Sequence, residues 1–149
     1  MAKTLSSVYK AFLSKLSEDD WLDWDEDDVL EDWKTIYEAA VPHFKFPRIE
    51  IPDPDEVEVD EDTELTNNEV QILATYMKVE WLERKINEWE NVEPMYSEKD
   101  FSPANYLAKL NGLIQTEFAN ARRLESYYYR SIKGSPYPYQ NLAGRAKND

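Results

Sequence analysis

The chain has 149 residues, a net charge of −14, one histidine, three glycines and no cysteine. That composition excludes disulfides and thiolate sites. It also argues against phosphate-cradling glycine loops, most zinc sites and most histidine-based acid–base catalysis.

The length fits one domain with a modest core. No apolar run approaches the roughly 18–20 residues that a membrane span requires, and the opening MAKTLSSVYKAFL lacks a signal-peptide core, so a soluble protein made in the cytoplasm is expected. Charge is unevenly spread. Residues 17–64 hold 20 acidic side chains against Lys34, Lys45 and Arg48, whereas residues 65–149 hold 11 of each sign. From Ala119 onward six basic residues face Glu125 and Asp149 alone, so one end repels polyanions and the other attracts acidic surfaces.

Leu5, Val8, Phe12, Leu13 and Leu16, with Tyr9 on the flank, predict a short amphipathic helix over about residues 4–16 that must pack on something else. Trp21, Trp24, Val29, Trp33, Ile36, Tyr37 and Ala40 follow within dense acid. They predict a helix over about residues 25–41, anchored by its tryptophans, with Asp25–Asp28 at its positive end and Pro42 as its stop. Two readings of this acid stand side by side: a solvated helix face, or a surface facing DNA.

Residues 46–64 alternate Ile49 and Ile51, then Val57 and Val59, around PDPD. A short acidic β-hairpin or an extended arm would satisfy this pattern, the prolines and acid favouring an edge position. Neither EF-hand register fits: from Asp53 the sixth place is Glu58 instead of glycine, and from Asp23 the twelfth is Lys34.

The segment LTNNEVQILATYMKVEWLERKINEW dominates the chain. Thr66 and Glu69 have capping-box spacing, and about 24 helical residues would form a rod of about 36 Å. Two apolar stripes run along it, one through Val70, Leu73, Ala74, Met77 and Trp81, the other through Ile72, Tyr76, Val79, Leu82, Ile86 and Trp89. A helix apolar on two sides must be buried on both, inside a bundle or between a bundle and another subunit. After a loop broken by Pro94, Ser102 and Pro103 open a second long helix, which carries Leu107, Leu110, Ile114, Phe118, Ala121, Tyr128 and Ile132 to a stop at Gly134. A short connection and similar lengths predict an antiparallel pair. The fold class expected is therefore mainly α, a helical bundle over residues 1–133 built on that pair. Residues 134–149 read as an extended polar tail, either mere disorder or a strand-like peptide whose Tyr137, Tyr139 and Leu142 dock in a partner groove.

Catalytic chemistry is not evident. His43 has no nucleophile motif nearby, and Glu80 and Glu83 lack a Glu-x-x-His partner, so no enzyme activity, cofactor or metal is expected.

The run LTNNEVQILATYMKVEWLERKI, then MYSEKDF, SPANYLAKL and YYYR, preceded by AAVPHFKFPR, resembles the small head-tail connector, or adaptor, proteins of tailed bacteriophages. The similarity covers about residues 20–132 and consists of spaced residues on helices. It implies a non-enzymatic virion protein that forms a ring, typically dodecameric, beneath the portal in the neck between head and tail. Its partners would be its own copies, the portal and the next neck or tail-completion protein, with DNA passing without specific binding. Ile72, Tyr76, Val79, Arg122, Arg123 and Arg130 are then candidates for a ring or core interface. Asp53, Asp55, Glu56, Glu58, Asp60, Glu61 and Asp62 are candidates for facing the DNA channel, and Tyr137, Tyr139, Leu142 and Arg145 for docking on the portal. Two other classes remain: an acidic DNA mimic that inhibits a DNA-binding host protein, and a phage scaffolding protein or assembly chaperone.

Overall fold

The computed structural model describes residues 3–16, 20–92 and 103–131, with side chains described for all of these but 89–92, 103 and 104. Four α-helices make up the described fold: α1 (Leu5–Ser14), α2 (Glu26–Ala40), α3 (Asn67–Val92) and α4 (Pro103–Ser131).

Local chemistry sets the helix ends. Thr4 caps α1 through a reciprocal box, its hydroxyl accepting from Ser7 N at 3.1 Å while Thr4 N donates to the Ser7 hydroxyl at 3.3 Å. Glu26, Asp27 and Asp28 fill the first turn of α2, where unpaired amides favour negative charge. Pro42 has no amide hydrogen to continue that helix, and Val41–His43 tighten into a 3-10 turn. At α3 the expected box is present: Thr66 N donates to Glu69 Oε1 at 2.7 Å, and Glu69 N donates to Thr66 Oγ1 at 3.3 Å.

The central helix α3 is the scaffold. At 3.6 residues per turn, Trp81 and Lys85 lie about 120° or more around α3 from Glu69, Tyr76 and Val79. The first pair meets the α1–α2 layer: Trp81 Nε1 and Lys85 Nζ both donate to Asp20 at 2.9 Å, while Arg84, on the flank, bonds Asp32 of α2 at 2.8 Å. The second set meets α4: Tyr76 packs on Phe118 and Tyr128 bonds Glu69 at 2.5 Å, while Lys78, further round the helix, pairs with Glu117 at 2.7 Å. Ile72, Tyr76 and Val79 are all buried inside the single chain. From Val70 to Leu82 the double stripe therefore has both sides covered without a neighbouring copy.

Tryptophan anchoring is selective. Trp21 and Trp33 meet edge to face with centroids 5.8 Å apart, Tyr9 and Phe12 of α1 joining them at 5.8 and 5.9 Å. Trp24, expected among the anchors, is 46% exposed, because the turn after Trp21 carries it outward.

Among the described residues no strand forms, and residues 46–64 make no hairpin. The segment instead turns at Asp53–Val57 and Glu58–Glu61, and its one bridge joins Thr63 to Lys3 at the start of α1. Ile49, Ile51, Val57 and Val59 each pack against the core, so this alternation seats an irregular segment on the bundle, and the two halves do not pair. Burial of the apolar set decided the outcome over pairing of the backbone.

Candidate functional site

The candidate surface is built on the residues that hold segment 46–64 down. Ser6 N donates to Val59 O at 2.9 Å, and Thr63 N donates to Lys3 O at 2.8 Å, fixing the far end against α1. At the near end Arg48 N donates to the Tyr128 hydroxyl at 2.7 Å, while the Arg48 guanidinium reaches Glu64 O at 2.8 Å and Glu69 Oε1 at 3.2 Å. Tyr37 adds a bond to Pro52 O at 2.8 Å. Midway, Lys34 of α2 pairs with Asp55.

Held this way, the segment turns Asp53, Asp55, Glu56, Glu58, Asp60, Glu61 and Asp62 outward, all of them exposed. The alternation read in the sequence as hairpin or arm thus becomes an apolar underside and a carboxylate outer face. Glu38, Asp53 and Asp55 bring carboxylate oxygens within 4.8 Å of one another. These groups are exposed and Asp55 already bonds Lys34, so the cluster supports no metal assignment.

Beneath the near end lies a buried network that joins α3, α4 and residues 46–48. Glu69, fully buried, accepts from Thr66 N, Arg48 and Tyr128. Glu125, 2% exposed, accepts from the hydroxyls of Tyr76 and Tyr129, and Tyr129 in turn accepts from Phe46 N at 3.2 Å. Burial first, and the bond to Glu125 second, hold the phenols of Tyr76 and Tyr129 well above the ordinary tyrosine range. Every oxygen of both carboxylates has at least one donor, the condition under which buried charge is tolerated. His43 stacks on Tyr76 at 5.2 Å and bonds Glu80 at 2.9 Å. The histidine at the end of α2 is thus a packing residue beside α3, and Glu80 is its partner.

The arginines expected at an interface lie on the opposite layer. Arg122 rests over the Phe118 ring at 5.0 Å and near Glu125, Arg123 bonds Asn120 at 3.0 Å, and Arg130 lies over Tyr127 at 6.0 Å. All three are exposed whereas Ile72, Tyr76 and Val79 are buried, and Arg122 approaches the same Glu125 carboxylate that Tyr76 bonds. The tail residues Tyr137, Tyr139, Leu142 and Arg145 lie outside the described residues. Sequence reasoning found Glu69 only as a helix cap and did not single out Glu125. A carboxylate at a core-facing position of a long helix, with YYY following Glu125 on the same helix, was the available signal for the second.

No described helix is long and apolar enough to cross a membrane. No family model, curated protein or solved structure matches the chain.

Proposed function

We propose that this chain is a structural virion protein, a head-tail connector that forms a ring beneath a bacteriophage portal and lines the passage from the DNA-filled head to the neck. The observation that carries this reading is the outward row of seven carboxylates from Asp53 to Asp62, on a segment pinned at both ends and along its apolar underside. A fixed acidic rim repels a passing phosphodiester backbone across about 8 Å at physiological salt, which suits a channel that must not retain its genome.

In this reading the two long helices run antiparallel, and residues 46–64 are a docked arm at the channel wall. Arg122, Arg123 and Arg130 turn towards a neighbouring copy in a dodecameric ring, and residues 134–149 reach the portal through Tyr137, Tyr139, Leu142 and Arg145. The remaining partner is the next neck or tail-completion protein. The protein acts without a cofactor or catalysis, is made in the host cytoplasm and resides in the virion. Beyond the carboxylate row, support comes from the spaced residues of the connector resemblance and from a bundle that is covered within one chain, as a subunit that folds before it assembles requires.

The test is co-sedimentation with portal-bearing capsids that lack their connector, followed by imaging of the vertex. A ring at the portal is the expected result. Failure to bind these capsids, together with salt-sensitive binding to a DNA-binding host protein, would transfer the carboxylate row to the DNA-mimic reading, which the same exposed acid favours.

A further inference from the structure

Five large apolar side chains are exposed among the described residues: Leu22, Trp24, Phe46, Leu113 and Tyr127. Four of them fall into two patches of opposite charge. Leu22, 78% exposed, and Trp24, 46% exposed, flank Asp23 in the turn before α2 and are followed at once by Asp25, Glu26 and Asp27. The only base on α2, Lys34, is engaged by Asp55.

Leu113, 37% exposed, and Tyr127, 60% exposed, lie on the outer face of α4, fourteen residues and therefore about 21 Å apart. Lys109, Arg123 and Arg130 share that face. The only acids on α4 are Glu117, paired with Lys78, and Glu125, which is buried, so the outer stripe shows no exposed carboxylate.

These patches lie in different layers. The α1–α2 layer and α4 pack against different sides of α3, through Trp81–Asp20 in one case and Tyr76–Glu125 in the other. Both patches stay exposed in the folded chain, so neither covers the other within it. Charge complementarity between two surfaces of the same molecule identifies the occupant of each. We infer that the acidic Leu22–Trp24 turn of one copy docks on the cationic outer stripe of α4 on the next, making a head-to-tail contact between copies of this chain. Such a contact joins different patches, so repeating it generates a closed ring or a filament and never a two-fold dimer. Apolar side chains at the centre supply burial, and the charged surroundings select orientation and partner. The inference rests on the connector reading and deepens it by naming the surfaces that would join ring neighbours.

The absence of cysteine makes the contact testable by disulfide trapping. Asp23→Cys and Arg123→Cys change exposed side chains on the two patches, and both variants should fold as the parent does. After mild oxidation the double variant should give a ladder of multimers on non-reducing gels. An equal mixture of the two single variants should stop at dimers, and each single variant alone should stay monomeric. Raising salt from about 0.05 M to about 1 M, where the screening length falls to about 3 Å, should weaken the ladder severalfold. Dimers from either single variant alone would overturn the head-to-tail contact in favour of a two-fold one. So would the absence of a ladder on portal-bearing capsids that carry the ring, although the connector reading would then stand. A ladder in solution with no ring on those capsids would retain the contact and remove the connector reading. No ladder and no ring would remove both.

Discussion

Tyr128 donates its hydroxyl hydrogen to Glu69 Oε2 across 2.5 Å, joining the C-terminal part of α4 to the first turn of α3 inside the core. The same carboxylate caps α3 at Thr66 and receives Arg48, so one buried side chain ties together two helices and the root of the acidic segment. Glu69→Leu removes the shared acceptor of three donors and leaves the Thr66 amide and the buried Tyr128 hydroxyl without it, at about 1–3 kcal/mol for each. For a chain of this size that lowers Tm by roughly 10 °C or more. Tyr128→Phe, which removes one donor to Glu69 and the acceptor of Arg48 N, should cost less, about 1–3 kcal/mol. Thermal melts followed by circular dichroism check both; equal effects of the two substitutions would contradict the hub role of Glu69.

Leu73 is fully buried on α3 and Val70 nearly so. Leu73→Ala should cost about 2–5 kcal/mol through lost burial and the cavity left behind. Val70→Asp and Leu73→Asp place an unpaired charge in the core and should unfold the chain. A helical Leu73→Asp protein with the parent melting temperature would refute the placement of α3 at the centre.

Alkaline pH should destabilise the fold in a defined window. Burial first, then the charges of Glu38 and Glu31, pushes Tyr9 up to about 12 from its ordinary 10.0, and Tyr37, Tyr76 and Tyr129 are also raised. Below about pH 10 these phenols keep their protons in both states, so their contribution is complete. Between about pH 10 and 12 the unfolded chain releases protons that the folded chain holds, and stability falls. Phenolate absorbance in the ultraviolet should show this buried set titrating above the ordinary tyrosine range in the folded protein. Titration of these four phenols at their ordinary value in the folded protein would contradict the network.

Acid should weaken the joints between layers. Burial by itself raises Asp32, but hydrogen bonds from Arg84 and Trp21 outweigh it and hold the group below its ordinary 3.8; Lys78 and Asn120 do the same for Glu117 below 4.5. The stability these groups add is complete above the ordinary values and is lost as pH falls through the lowered ones. Urea midpoints should decline below about pH 4.5, and the decline should be shallower in a variant with Asp32→Asn and Glu117→Gln. An equally steep decline in that variant would exclude the two joints as its source.

All described core residues end by Tyr129, so removing residues 134–149 should leave the helical signal and Tm of the bundle essentially unchanged. In the connector reading the same deletion abolishes binding to portal-bearing capsids. Full binding by the truncated chain would reduce the tail to a linker.

Helix boundaries, caps and the two-sided apolar character of α3 were legible in the amino-acid order alone, because each depends on residues no more than a few positions apart. Thr66 and Glu69 signal a helix start at a spacing of three, Pro42 stops a helix by its own chemistry, and the stripes of α3 follow from its period. The alternation around PDPD was visible too, but it read as a hairpin or an extended arm. Tertiary structure alone decided what covered these faces. That α1 and α2 take one side of α3 and α4 the other depends on pairs such as Trp81–Asp20 and Tyr76–Glu125, which lie 61 and 49 residues apart. Those same pairs decided that Ile72, Tyr76 and Val79 need no neighbouring copy. Ile49 and Val59 were seated on the core instead of pairing with each other, Trp24 was turned outward while Trp21 and Trp33 were buried, and a helix cap at Glu69 became the meeting point of three segments. The physical reason is common to all of these: period and capping are local properties of the backbone, whereas burial is settled by competition among every apolar face in the chain for the same limited interior.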